Sequence, residues 1–167
     1  CLNQTHSDNV KIISSPGIYD NCDGIISKIK NQLTLVVKTA DCLPIFMYDN
    51  IKGIYGIIHA GWKGVYKKIH LKALNDFLDL NSNSKDIDIF IGPSIRECCL
   101  EIKEDLIKLF DNKFIIRKDD KCYLNLIELI TFDFNKLGIE NIKIDKTCTY
   151  ENNECFSYRR NKSELRM

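Results

Sequence analysis

The stretch TADCLPIFMYDNIKGIYGIIHAGWKG, residues 39–64, decides how this chain is read. Within it, two apolar runs rich in β-branched and aromatic residues, 43–48 and 54–59, are separated by Asp49-Asn50 and Gly53. Branching at Cβ restricts χ1 and suits a pleated surface, so both runs are expected to be strands. Asp, Asn and Gly supply the turn chemistry between them, and a hairpin is the expected connection. Beyond Gly64 the apolar period lengthens. Val65, Ile69, Ala73 and Phe77 recur every fourth residue with Leu74 and Leu78 beside them, the stripe of a helix over 64–80. The polar residues 81–84 end it.

Outward from this unit, 11–14 and 33–38 also read as strands, and 87–91 as another, stopped by Gly92-Pro93. Cys99, Ile102, Leu106 and Phe110 fall at helical spacing, which predicts a helix within 97–110. Asn125 with Glu128 three residues later has the form of a capping box, opening a helix that Gly138 would close. The last expected strand is 141–146. Several strands come first and strand–helix alternation follows. The expected class is therefore α+β, with mixed β-sheets flanked by helices in a layered sandwich, rather than a doubly wound sheet. The 167 residues suit one domain, 1–167. A chain of this length buries roughly 70% of its unfolded surface and does not need disulfides or a metal to fold. Neither GxGxxG nor GxxxxGK(S/T) occurs, which leaves dinucleotide and P-loop readings without support.

Composition narrows the function classes. Lys and Arg (24) nearly balance Asp and Glu (23), without the basic excess of a nucleic-acid binder. No apolar run approaches the roughly 20 residues that cross a bilayer, and no secretion signal of the usual layout is seen. A cytoplasmic protein without nucleic-acid or membrane partners is expected. Eight cysteines, at 1, 22, 42, 98, 99, 122, 148 and 155, form no CxxC pair or regular framework. They read as reduced thiols that serve mostly as small buried hydrophobes, with Cys42 set apart.

Only three histidines occur. His70 falls within the helical stripe, as a surface or packing residue. His6 sits in the polar stretch Asn3-Gln4-Thr5-His6-Ser7-Asp8-Asn9 just before a strand, His59 ends the run 54–59, and Cys42 stands at the junction of two apolar runs. All three lie at strand ends, where loops present functional groups on a rigid frame. Separations of 36 residues (His6 to Cys42) and 17 (Cys42 to His59) match no local chelate motif, so spacing by itself leaves a shared site open.

Six motifs change the weighing. Leu2-Asn3-Gln4-Thr5-His6 resembles LxQxH, Asp23-Gly24-Ile25-Ile26 an acidic loop, and Thr39-Ala40-Asp41-Cys42-Leu43-Pro44-Ile45 the motif TADCxPI. His59-Ala60-Gly61-Trp62-Lys63-Gly64 is similar to HAGWRG, Ile91-Gly92-Pro93-Ser94-Ile95 with Cys98-Cys99-Leu100-Glu101 to IGPxI and CCYEV, and Cys148-Thr149-Tyr150 with Phe156-Ser157-Tyr158-Arg159-Arg160 to a CT and FFSYRR ending. Together, in this order, they resemble the polyphenol oxidase (laccase-domain) family, also described as purine nucleoside phosphorylases.

The resemblance implies one metal, usually assigned as zinc, on the residues matching the family's ligands: His6, Cys42 and His59. Two neutral imidazoles and a thiolate leave zinc a fourth position, as a catalytic site requires. Copper also suits a His₂Cys set, but a multicopper oxidase needs a His-rich cluster that three histidines cannot supply. The implied activity is phosphorolysis of adenosine, inosine, guanosine and methylthioadenosine, with adenosine deamination beside it. A water acidified by zinc is the direct route to C6 of adenine. Cys42, Asp41 and Asp23 are the candidate catalytic residues, the two Asp for proton handling or substrate contact. Lys63, Arg159 and Arg160 are the candidate cations for phosphate, and Tyr158 a ring to flank the purine. The implied partners are a small-molecule nucleoside and phosphate, and the implied state is a monomer or homodimer.

Two departures bear on this. Lys63 stands where the family has Arg, replacing a bidentate fork by a point charge. Family members also carry a segment ahead of the first motif that this sequence does not include, and the expectation is a pocket incomplete on that side. Three readings compete: a metal-free cysteine hydrolase with Cys42 as nucleophile and a histidine as base, an enzyme that proofreads cell-wall precursors at the same site, and a catalytically inactive binding domain.

Overall fold

Residues 39–64 fold into the expected hairpin in a computed structural model that describes residues 1–162; residues 163–167 of the expected domain lie outside the described residues. The strands in chain order are β1 (Leu2–Asn3), β2 (Val10–Ile12), β3 (Tyr19–Asp20), β4 (Gly24–Lys28), β5 (Leu43–Asp49), β6 (Ile54–Ala60), β7 (Ile87–Ile91), β8 (Glu101–Ile102), β9 (Ile115–Lys118), β10 (Lys121–Leu124) and β11 (Asn141–Ile144). The helices are α1 (Trp62–Tyr66), α2 (Ile69–Asp79), α3 (Glu104–Ile107), α4 (Leu126–Lys136) and α5 (Tyr158–Asn161). β5 and β6 pair antiparallel with Ile45 opposite Ile58. Their turn is closed by the Lys52 N–H, which donates to Asp49 Oδ1 at 2.9 Å, and by Gly53 at φ 62°.

That hairpin is the centre of a six-stranded mixed sheet ordered β11-β7-β5-β6-β4-β2, with parallel pairs at both edges. Alternation along the strands sorts the side chains. Ile26, Ile45, Ile58 and Ile89 enter the main core with Ile69, Ala73, Leu74 and Phe77 of α2 and Ile130 and Phe134 of α4. Ile25 and Ile57 belong instead to a smaller cluster with Leu2, Ile13 and Cys22. At eleven residues, α2 is marginal as an isolated helix. Burial of its stripe, at roughly 1.5–3 kcal/mol per large side chain, holds it to the sheet. The result is the expected α+β arrangement of mixed sheets and helices. No described helix is long and apolar enough to cross a membrane.

Three local expectations are corrected. Residues 64–80 are two helices: Lys68 takes φ 64° between α1 and α2. The stripe survives the break because Val65 on one helix and Ile69, Ala73 and Phe77 on the other are all fully buried. Residues 97–110 are a turn, then β8, then α3. Ile102 pairs with Cys122 of β10, and the helical spacing of Cys99, Ile102, Leu106 and Phe110 reflects a shared core contact without a continuous helix. Residues 33–38 alternate as a strand would, with Leu33, Leu35 and Val37 packed on the smaller cluster. No described strand forms a ladder with them. Side chains serve their ends instead: Tyr55 Oη at Leu33, and the Gln4 amide, which both donates to and accepts from Lys38.

The hairpin β9–β10 was missed, although Asp119-Asp120 between two short runs is its turn signal; both residues take positive φ, 50° and 58°. Helix α4 starts and stops as expected. Asn125 Oδ1 accepts the Glu128 N–H at 3.0 Å, and Gly138 takes φ 79° past the end. The strand expected over 141–146 pairs with β7 as β11.

His70 proves to be a packing residue. It is fully buried, edge-on to Phe134 at 5.5 Å between ring centroids, with Nε2 2.9 Å from Asp133 Oδ2 and Nδ1 without a partner among the described residues. Burial outweighs the attraction of Asp133 and lowers its pKa to about 4. The folded chain keeps the ring neutral at pH values where the unfolded chain, near its ordinary 6.5, takes a proton. Stability should therefore fall as pH drops from about 6.5 towards about 4, by on the order of 2 kcal/mol between about pH 7 and about pH 5. Urea unfolding at the two pH values should show this loss as the difference between the unsubstituted chain and His70→Gln, since the raised pKa of another buried histidine, His59, acts in the opposite sense in both.

Candidate metal centre

The hairpin register delivers two side chains to one end of the sheet. Pro44 lies opposite His59 and Leu43 opposite Ala60, so Cys42, one residue before β5, and His59, near the end of β6, are neighbours. His6 arrives from the loop after β1, at φ 57°, a left-handed backbone that non-glycine residues rarely adopt. Cys42 Sγ is 3.9 Å from His6 Nε2, the two imidazole centroids are 4.8 Å apart at 76°, and the ligand atoms of the three residues lie within 4.8 Å of one another. The sequence-based trio therefore meets at one point. As a donor set, two imidazoles and a thiol could hold a zinc-class ion.

Asp23 sits beneath this point with no solvent exposure. Its Oδ1 is 2.8 Å from His59 Nδ1 and 3.1 Å from the His6 N–H. Its Oδ2 accepts the Ser7 N–H and the Ser7 hydroxyl, each at 2.6 Å, and the Thr5 N–H at 3.2 Å. Burial by itself would raise its pKa; hydrogen bonds from His59, Ser7 and Thr5 more than offset that and hold it well below the usual carboxylate range. An ionised Asp23 makes Nδ1 the donor nitrogen of His59 and leaves Nε2 for the trio.

The same chain of charges reaches Cys42. Burial opposes ionisation of the thiol, yet hydrogen bonds from His59 and His6 bring its pKa down to about 7. Burial likewise opposes charge on His59, but Asp23 and then Cys42 raise it to about 9. Asp23, His59 and Cys42 thus each shift in the direction that favours the charged form.

Asp41 precedes Cys42 at φ 82°. Both its carboxylate oxygens are engaged, by the Thr149 hydroxyl at 2.8 Å and by the Arg159 N–H at 2.7 Å, and its carbonyl accepts the Ile95 N–H at 2.9 Å. Gly61 follows β6 where a Cβ would lie 2.9 Å from Cys42 Sγ and 3.1 Å from His6 Cδ2, so a side chain there would push two of the trio.

The trio opens into a cleft of about 610 Å³, within the range of small-molecule sites. Lys63, Tyr158 and Arg159 line it together with Trp62, Ile95 and Leu100. Lys63 is exposed, 5.6 Å from the Trp62 ring centroid, and Arg159 donates one guanidinium N–H to the Glu101 carbonyl at 3.0 Å. The structure does not bring Arg160 to the cleft. Its guanidinium donates to the carbonyls of Thr149, Tyr150, Asn152 and Cys155, clamping the turn before α5.

Residues 1–166 match the family described as multi-copper polyphenol oxidoreductase laccase. The chain belongs to this family. It is 37% identical over 170 residues to the purine nucleoside phosphorylase of Borreliella burgdorferi, covering 95% of this chain and 72% of that protein. A purine nucleoside phosphorylase of Clostridium acetobutylicum is 36% identical over 178 residues, covering 99% and 73%. Among solved structures, the Bacillus licheniformis hypothetical protein YfiH superposes with a TM-score of 0.88 at 28% identity, over 96% of this chain and 68% of that one. YlmD from Geobacillus stearothermophilus shares the fold, with a TM-score of 0.86 at 24% identity.

Within this laccase-like chain, sequence reasoning did not single out Gln4, Ser7, Gly61 or Thr149 as parts of the centre. Each lies in or beside a quoted motif, so the motif boundaries carried a signal, but only the fold shows what each one holds. After treatment with a chelator, alkylation of Cys42 followed by peptide mass spectrometry should rise through a midpoint near pH 7, because the thiolate exists above that value. Asp23→Asn should move the midpoint up towards the ordinary thiol value of about 8.5; a midpoint already there in the unsubstituted chain would show that the imidazoles do not hold the thiolate. Gly61→Ala should retain the far-ultraviolet circular dichroism of the fold while shifting the same midpoint.

Proposed function

We propose that this chain is a metal-dependent purine nucleoside phosphorylase, with His6, Cys42 and His59 holding the ion and Lys63 and Arg159 receiving phosphate. The observation that carries the reading is the convergence of two imidazoles and a thiol in a cleft that two cations also line. The names of the two relatives above support the reaction class. Zinc suits the donors: three protein ligands are the number a catalytic zinc uses, His59 already has its Nδ1 engaged by Asp23, and Cys42 is already acidified. A multicopper cluster suits them poorly, since one of only three histidines, His70, is packed against Phe134 and bonded to Asp133. A zinc-class ion, when bound, supplies Lewis-acid and water-acidifying chemistry.

In phosphorolysis a phosphate oxygen bonds to C1′ as the C1′–N9 bond breaks, and the electron pair of that bond leaves with the purine. Arg159 can give phosphate a planar fork of N–H donors, and Lys63 a mobile point charge. Tyr158 offers a ring face to the base. Asp23 and Asp41 act in this reading as positioning residues, the first on His59 and His6, the second on the loop before Cys42. The proposed substrates are adenosine, inosine, guanosine and methylthioadenosine. Adenosine deamination is the accompanying activity, in a cytoplasmic setting with small-molecule partners only.

A second reading has one observation behind it. The relay Asp23–His59–Cys42, with its acidified sulfur, has the order of a carboxylate, base and nucleophile, which a metal-free cysteine hydrolase would use. Incubation with adenosine and phosphate separates the readings. The expected products are adenine and ribose 1-phosphate, with inosine marking deamination. A chelator should abolish them and zinc restore them. Asp23→Asn should weaken zinc affinity by roughly 10–100-fold, and Arg159→Ala should raise the KM for phosphate by about tenfold or more with bound zinc unchanged. Activity that survives the chelator and dies on alkylation of Cys42 would transfer the assignment to the hydrolase, and no product from the zinc-loaded chain would leave the inactive binding domain and the proofreading enzyme.

A further inference from the structure

A second cluster of soft ligands lies outside the cleft. Cys98 and Cys99 sit on the turn after β7, and Cys148 and Glu151 on the turn after β11. Their ligand atoms all fall within 4.8 Å of one another, with Cys98 Sγ 3.1 Å from Cys99 Sγ and 3.8 Å from Cys148 Sγ. None of the four lines the cleft. We propose that Cys98, Cys99, Cys148 and Glu151 form a second metal site, taking a thiophilic divalent ion of the zinc class in a closed, structural S₃O set.

The geometry favours this over packing of thiols. Cys98 and Glu151 are exposed, so neither is there to fill a core, while Cys148 is buried with its sulfur turned towards Cys98. Zinc–sulfur bonds of about 2.3 Å in a tetrahedron set sulfurs about 3.8 Å apart, the separation of Cys98 from Cys148. The Cys98–Cys99 pair would open by about 0.7 Å to match, which an exposed side chain can do. Cys148 and Glu151 are three residues apart on a turn closed by the Asn152 N–H to the Cys148 carbonyl at 2.9 Å, the spacing with which short chelating turns present two ligands.

The two turns are also held before any ion arrives. Ser94 bridges Cys148 in parallel, the Thr149 N–H donates to the Ser94 carbonyl at 3.1 Å, and the Arg160 guanidinium clamps the carbonyls of Thr149, Tyr150 and Asn152. An ion there would staple the turn that carries Ile95 and Leu100 of the cleft wall to the turn that carries Thr149, the partner of Asp41. This is independent of the cleft trio.

Titration of the reduced, chelator-treated chain with Co²⁺ tests it, reading thiolate-to-metal charge-transfer absorption and stoichiometry. Two ions per chain are expected. Cys42→Ala should retain one ion with a strong thiolate band. Cys98→Ser/Cys148→Ser should also retain one, with that band cut by more than half. Because Cys148 is buried, Cys98→Ser/Glu151→Gln, changed only at exposed positions, should give the same loss if folding of the first variant is impaired. In Cys42→Ala, added Zn²⁺ should raise the melting temperature, and the rise should vanish when Cys98→Ser and Glu151→Gln are added. A single ion in the unsubstituted chain that disappears with Cys42→Ala would overturn the proposal, as would two ions unaffected by any change at positions 98, 148 or 151.

Discussion

A carboxylate with no access to water must be matched by donors or it drives the surrounding structure apart. Asp23 is matched by an imidazole N–H, a hydroxyl and three backbone N–H groups, those of Thr5, His6 and Ser7. Hydrogen bonds to a charged group contribute roughly 1.5–3 kcal/mol each. This one side chain therefore has the means to fix both a ring orientation in β6 and the path of a loop from the other end of the sequence. The left-handed backbone of His6, which costs on the order of 1 kcal/mol, is over-determined by it. The sheet register makes Cys42 and His59 neighbours, whereas Asp23 accepts the N–H groups that hold the loop of His6 beside them.

The centre thus has two origins. Pairing of β5 with β6 is driven by apolar burial, and Cys42 and His59 come with it. The third ligand comes from a polar network whose members strengthen one another. Gly61 belongs to both: it ends the strand, and its missing Cβ leaves the space that Cys42 Sγ and His6 Cδ2 fill.

This division also explains what could be read from the chain. Periodicity found β5, β6, β7, the apolar stripe of α1 and α2, and α4 with both its ends, because each is dictated by local spacing and burial. It failed at 33–38 and 97–110, where alternation or helical spacing was real but hydrogen-bonding partners were set by distant residues: Tyr55 and Gln4 in one case, β10 in the other. The trio was legible only through resemblance, since separations of 36 and 17 residues carry no chelate signal. Roles for single residues were harder still. Arg160 sits beside Arg159 in sequence, yet helix α5 turns one towards the cleft and the other onto four backbone carbonyls.

Asp41 shows how the remaining parts are tied together. It stands between the trio and the end of the described chain: it directly precedes Cys42, one carboxylate oxygen accepts from the Thr149 hydroxyl, and the other accepts from the Arg159 N–H in the first turn of α5. With both carboxylate oxygens accepting hydrogen bonds, Asp41 ties the loop before Cys42 to the turn at Thr149 and to α5. Thr149 is the next residue after Cys148, so the proposed second site lies one residue from the hydroxyl that holds Asp41, itself the residue before Cys42.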